Sequence, residues 1–317
     1  MAMMLGRTAA NLFWLSRYVE RAENIARLLE AGVRMSLISR RDQSEGEYLT
    51  SMLQAAAVAD LYFSKYEAAD LKSVAQFMLL DPDNPSSVYS CFRNARTNAR
   101  TERTALTSDM WEGINSSWLE IAEVRMGQVT EKQLPDLIAW VKQASHRFRG
   151  ALLGTILRND GYAFSQIGNF VERADNTARI LDMKYYVLLP RSSFVGGDVD
   201  IQQWTLILRA TSAYSSYRHT YHDRFKAWNI AQYLILRTEM PRSLAFCSRW
   251  VRSSLDLIDT LYGARTDAHA RAEEMCEMLE GTDMDAIFRR GLHEYLVEFI
   301  GRNNALTDAL ASSYDFY

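Results

Sequence analysis

VERAENIARLL, residues 19–29, returns later in the chain as VERADNTARIL, residues 171–181. Eight of the eleven positions are identical, and Glu172 follows Glu20 by 152 residues, as Arg179 follows Arg27. A second stretch repeats as well. FMLLDPDNPSSVYSCFRNAR, residues 77–96, overlies YLILRTEMPRSLAFCSRWVR, residues 233–252, placing Pro85 on Pro241, Ser87 on Ser243, Cys91 on Cys247, Arg93 on Arg249 and Arg96 on Arg252. The offset there is 156, so about four inserted residues separate the two registers. The chain reads as a tandem duplication. Its halves are residues 1–158 and 159–317, packed as one structural unit with a pseudo-twofold relation between them.

Apolar residues within these stretches recur at alternating spacings of three and four (Leu12, Leu15, Val19, Ala22, Ala26, Leu29), the mark of helices packed on one face. Only 5 Pro and 15 Gly occur in 317 residues, too few for a turn-rich β architecture. The expected fold is all-α, a duplicated multi-helix bundle. Helices are predicted over about 9–39, 44–66, 71–80, 86–106, 109–126, 130–157, 162–188, 201–219, 224–238, 242–263, 267–280 and 291–312. Ser86 is the expected cap of the fourth. The segment 189–200, LPRSSFVGGDVD, is the longest loop signal.

Composition bounds the function. A net charge of −3 provides no basic field for nucleic acid or anionic lipid. No uncharged run approaches the length of a membrane span. Three cysteines (Cys91, Cys247, Cys276) form no CxxC and no disulfide framework, which fits small buried side chains in a reducing cytoplasm. Phosphate-loop, HExxH and GxSxG signatures are absent. None of the five histidines completes a Glu-x-x-His pair, and no metal or other cofactor is expected.

Two groups of charged residues remain. Glu20, Asn24 and Arg27 fall on one helical stripe, and Glu172, Asn176 and Arg179 draw the same stripe in the second half. Arg21 and Arg173 fall on the opposite flank, where a half-buried guanidinium must find a carboxylate or several carbonyls. In one reading each Glu pairs with an Arg of a neighbouring helix and fixes its register. In the other the two copies face one another and line a polar cleft for an acidic or zwitterionic ligand. The second group is Arg93, Arg96, Arg100 and Arg103, which project from one side of a helix, with Arg249 and Arg252 repeating the first pair. Like charges at these spacings need acidic partners. Either Glu20 and Glu172 provide them, or an external anion does. Trp111, Trp118, Trp204 and Trp228 are the aromatics to watch at an interface, with core packing as the default.

NLFWLSRYVERAENIARLLEAG and IGNFVERADNTARILD resemble the two signature stretches of the bacterial alpha-E family, as do the NPSS stretch with its NAR-T-NAR continuation and the PRSL stretch. The resemblance covers essentially the whole chain. It implies a helical domain whose Glu-Arg positions are Glu20, Arg21, Glu172 and Arg173, flanked by Arg17, Asn24, Arg27, Asn176 and Arg179. It also implies partners: a circularly permuted ATP-grasp ligase and a transglutaminase-like peptidase. The expected role is that of an accessory, non-catalytic subunit in making or modifying peptides or amide-linked metabolites. Two alternatives stand beside it: a stand-alone amide-forming or amide-cleaving enzyme with Glu20 or Glu172 as base, and a helical oligomerisation scaffold.

Overall fold

The computed structural model describes residues 4–38, 44–125, 130, 132–188, 198–222 and 225–316. Fifteen helices and no strand lie among the described residues. In the first half these are α1 (Gly6–Ile38), α2 (Ser44–Ala55), α3 (Ala59–Phe63), α4 (Leu71–Leu80), α5 (Val88–Thr101), α6 (Ser108–Val124) and α7 (Leu134–Thr155). The second half contains α8 (Asp160–Leu188), α9 (Asp198–Ala210), α10 (Tyr214–Tyr221), α11 (Ala227–Ile235), α12 (Leu244–Tyr262), α13 (Asp267–Glu280), α14 (Met284–Arg290) and α15 (Leu292–Ser313).

The two long helices that bear the repeated motif, α1 and α8, pack against each other at the centre. Alanines make this possible: Ala22, Ala26, Ala174 and Ala178 are all buried. Gly168 brings the backbones closer still, since a Cβ there would lie 2.2 Å from the carbonyl oxygen of Phe13. Around this pair, α5 and α7 flank α1 while α12 and α15 flank α8. The main hydrophobic core draws on both halves, and a smaller one lies among α1, α5, α6 and α7.

Features recur at separations of 152 to 158 residues, close to those of the sequence repeat. Ser87 and Ser243 cap α5 and α12, accepting from the amides of Ser90 (3.1 Å) and Phe246 (3.0 Å). Ser145 of α7 donates to the Val19 carbonyl, and Asn303 of α15 donates to that of Val171, the matching residue. Tyr62 stacks on Tyr66 at 4.6 Å and meets Phe77 edge-on; Tyr217 stacks on Tyr221 at 4.8 Å and meets Tyr233 edge-on.

Several boundaries differ from expectation. The helix predicted over 44–66 breaks between α2 and α3, and that over 201–219 breaks between α9 and α10. At each break one residue is left-handed, Ala57 and Ser212, both with φ 55°. Neither is glycine or asparagine, so the local sequence gives no break signal; packing of Val58, Tyr62, Ala213 and Tyr217 in the core overrides helix propensity. Ser86 is not the cap of α5. Its amide donates to the Asn84 side chain (2.9 Å) in an Asx turn, which passes the capping role to Ser87. That helix ends at Thr101, not Leu106, and Glu102 then accepts from Asn11 of α1 (2.8 Å). Thr107, two residues ahead of the expected Asp109, caps α6. Thr130 engages the Gln133 side chain, and α7 begins four residues later than predicted, with Pro135 in its first turn. Residues 189–197 of the expected loop lie outside the described residues.

Candidate functional site: a charge lattice between α1 and α8

The close approach of α1 and α8 forces their polar motif residues together in the interior. Glu20 is fully buried. It accepts from Arg173 of α8 through two nitrogens (3.1 and 2.9 Å), from Arg242 at the head of α12 (2.7 Å) and from Arg149 of α7 (2.6 Å). One turn further on, Glu23 is equally buried and takes Arg242 (2.7 Å), Arg27 (2.8 Å) and Arg149. The His146 ring stands 3.7 Å from the same carboxylate. Arg149 and Arg242 therefore each bridge both glutamates.

The second motif is simpler. Glu172, 2% exposed, accepts from Arg21 through two nitrogens (2.6 and 3.0 Å) and from Arg17 (2.7 Å), whose guanidinium lies 4.6 Å over the Trp14 ring. The two Glu-Arg pairs thus cross. The arginine of each motif clasps the glutamate of the other in a two-pronged pair, the geometry for which a planar guanidinium is suited. Asp175 and Arg179 pair within α8 (2.7 Å) as Glu23 and Arg27 pair within α1.

Electrostatics follow from these contacts. Burial alone would raise the Glu20 carboxyl, but Arg173, Arg242 and Arg149 outweigh it and bring it down to about 2. Burial likewise opposes Arg21 and Arg17 at Glu172, and the result is again about 2. Glu23 is held well below its usual range by Arg242, His146, Arg149 and Arg27 against its burial. Arg27 is pulled down, by burial first and by neighbouring Arg242 second. That repulsion marks a local surplus of positive charge: four guanidinia surround two carboxylates. Cys91 and Cys247 lie beside the lattice, and burial pushes both thiols up to about 12.

Of the residues singled out in the sequence, Glu20, Arg21, Arg27, Glu172 and Arg173 meet in the lattice. Asn24 and Asn176 are buried beside it, and Arg179 stays at its edge. The arginine stripe does not join it, so Glu20 and Glu172 are not its countercharges. Helix α5 turns Cys91, Phe92, Ala95 and Ala99 inward, which sends its arginines outward. Arg93 lies over Tyr89, Arg96 donates to Asn115 (2.9 Å), and Arg100 is exposed. Arg249 pairs with Glu280 of α13. Glu23, Arg149 and Arg242 are the lattice members that sequence reasoning passed over as site residues. Arg242 stood out only as the arginine that precedes Arg249 and Arg252 in the second repeated stretch; Arg149 gave no signal. Among the watched tryptophans, Trp204 is buried, Trp111 and Trp118 are half-buried, and Trp228 is exposed.

Among the described residues, no group of three or more His, Cys, Asp or Glu could hold a metal ion, and no helix is long and apolar enough to cross a membrane. Compared with known proteins, the chain matches over residues 4–314 the model of the Alpha-E family, described as a predicted alpha-helical domain with a conserved ER motif. It is 24% identical over 315 residues to an uncharacterised protein of Mycobacterium bovis, and equally to one of Mycobacterium tuberculosis strain CDC 1551. Each alignment covers 92% of this chain and 33% of the relative, so the chain spans about a third of the length of the curated relatives it matches. No solved structure matches.

Proposed function

The chain belongs to the Alpha-E family, and from that premise we propose that it is an accessory, non-catalytic subunit of an ATP-grasp-linked cytoplasmic system that makes or modifies peptides or amide-linked metabolites. A transglutaminase-like peptidase is a further partner in this reading. The observation that carries it is the charge balance at the first motif. Glu20 and Glu23 are each held by three guanidinia and stay ionised, so neither is a base near neutral pH. What the cluster can still accept is an anion. Arg149, 16% exposed, and His146, 57% exposed, form its edge toward solvent. An acidic or zwitterionic ligand meets that requirement. The greater length of the relatives supports a partner, since two thirds of each lies beyond the matched region and can include a further domain.

The reading also takes residues 1–158 and 159–317 as duplicated halves. Support comes from the paired left-handed residues Ala57 and Ser212, the paired caps Ser87 and Ser243, and the matching bonds to Val19 and Val171. The test is ATP hydrolysis and amide formation on a panel of amino acids and dipeptides, with this protein alone, an ATP-grasp ligase encoded beside it alone, and the two mixed. Turnover confined to the mixture is expected. Product from this protein alone would overturn the accessory reading.

A further inference from the structure

A cavity of about 480 Å³ opens between the halves, lined among others by Gln54 at the end of α2, Asp60 of α3, Arg179, Asp182 and Met183 of α8, and Ile300 of α15. Its volume falls in the range of small-molecule sites. The charge lattice contributes only Arg179, and only in passing: its Nε holds Asp175, and the side chain is 28% exposed. The Nη edge of that guanidinium is left for other partners. Asp182 is held on one oxygen by His293 (2.6 Å).

The corresponding place in the first half shows what is unusual here. Asp182 follows Glu30 by 152 residues, the offset of the motif. Ile300 follows Lys142 by 158, the offset at which Ser145 and Asn303 bond to Val19 and Val171. Lys142 donates to Glu30 (2.8 Å), so the first half closes this position with its own ion pair. In the second half the lysine is replaced by isoleucine. The cavity keeps the carboxylate, gains an apolar wall of Ile300 and Met183, and has the His293 ring on one Asp182 oxygen where the first half has a lysine ammonium.

We propose that this cavity binds a small zwitterion, an α-amino acid or short peptide. Its free ammonium lies between Asp60 and the Asp182 carboxylate, beside the His293 ring, its carboxylate lies on the Nη edge of Arg179, and its apolar side chain lies on Met183 and Ile300. The inference does not depend on a ligase partner, because the lining residues named belong to this chain.

Calorimetric titration of the isolated protein with L-leucylglycine tests it, alongside free L-leucine, the N-acetylated dipeptide and the dipeptide amide. Saturable binding of the dipeptide or of leucine is expected. Loss of either charge, by acetylation or amidation, should weaken it about tenfold or more, the worth of one charge-assisted contact. Arg179→Gln should remove the discrimination between acid and amide while leaving that between amine and acetamide. Gln54→Trp, at an exposed position on the cavity rim, should block binding with the melting temperature unchanged. Absence of saturable binding by both zwitterions would overturn the inference, as would equal affinity for the blocked forms or indifference to both substitutions. Stimulation of a ligase by a protein that fails these titrations would leave the accessory role standing and sink this site alone.

Discussion

At Glu20 two large effects oppose each other: withdrawal of a carboxylate from water, and the field of three guanidinia placed around it. The second prevails only while every partner is present. Glu20→Gln leaves Arg173 with a neutral partner in the interior and is expected to cost about 3–5 kcal/mol, read as a lower midpoint in urea. Glu172→Gln should cost less, because two guanidinia rather than three lose their charged partner and one of them, Arg21, is 23% exposed and can turn toward water. Both carboxyls titrate lower in the folded chain, at about 2, than the ordinary 4.5 they have when unfolded. Their contribution is therefore complete above about pH 5 and is lost as pH falls from 4.5 toward 2. Denaturation midpoints measured across that window should drop steeply, and the double variant Glu20→Gln/Glu172→Gln should flatten the drop. Little of this was legible beforehand. The sequence shows that a buried Arg21 needs a carboxylate, but Arg149 and Arg242 lie 129 and 222 residues from Glu20, and only packing brings them to it.

Among elements, the α1–α8 pairing rests on how near two backbones can come. Gly168→Ala would put a methyl group 2.2 Å from a backbone oxygen that cannot rotate away. Overpacking of this kind should cost about 3 kcal/mol, and it should also lower the affinity of any ligand read at the lattice, since the clasps lengthen as the helices part. Chemical denaturation of the variant checks the first effect. Helix content was legible from the three-and-four spacing of Leu12, Leu15, Val19 and Ala22, because that pattern records which face is buried. The breaks at Ala57 and Ser212 were hidden for the opposite reason. Their φ of 55° is imposed by the packing of Val58 and Ala213, whereas the residues themselves carry no turn preference. The outward turn of Arg93 and Arg96 was ambiguous in the same way: a helical wheel shows that charges share a face, not which side of the helix meets the core.

For the whole molecule, the main core and both clasps span the division near residue 159. Halves ending at 158 and starting at 159 should each show weakened helicity when produced separately, recovering on mixing. Full recovery by either half alone, measured by circular dichroism, would show that the shared interior is dispensable. The intact chain should unfold in one transition for the same reason. The repeat predicts two halves; the contacts that join them are not legible in the sequence, because they come from which Arg finds which Glu.

The crossing of the clasps also sets a rule of inheritance. Glu20 and Arg21 are neighbours in the chain but strangers in space, and the motif arginine that Glu20 meets is Arg173. A change in one clasp is therefore repaired at the other motif rather than at the neighbouring residue. Exchanging charges as Glu20→Arg with Arg173→Glu should restore more stability than the adjacent exchange of Glu20 with Arg21, which reverses two clasps and mends neither. The motif is thus a single sentence divided between two clauses, and neither clause can be reworded alone.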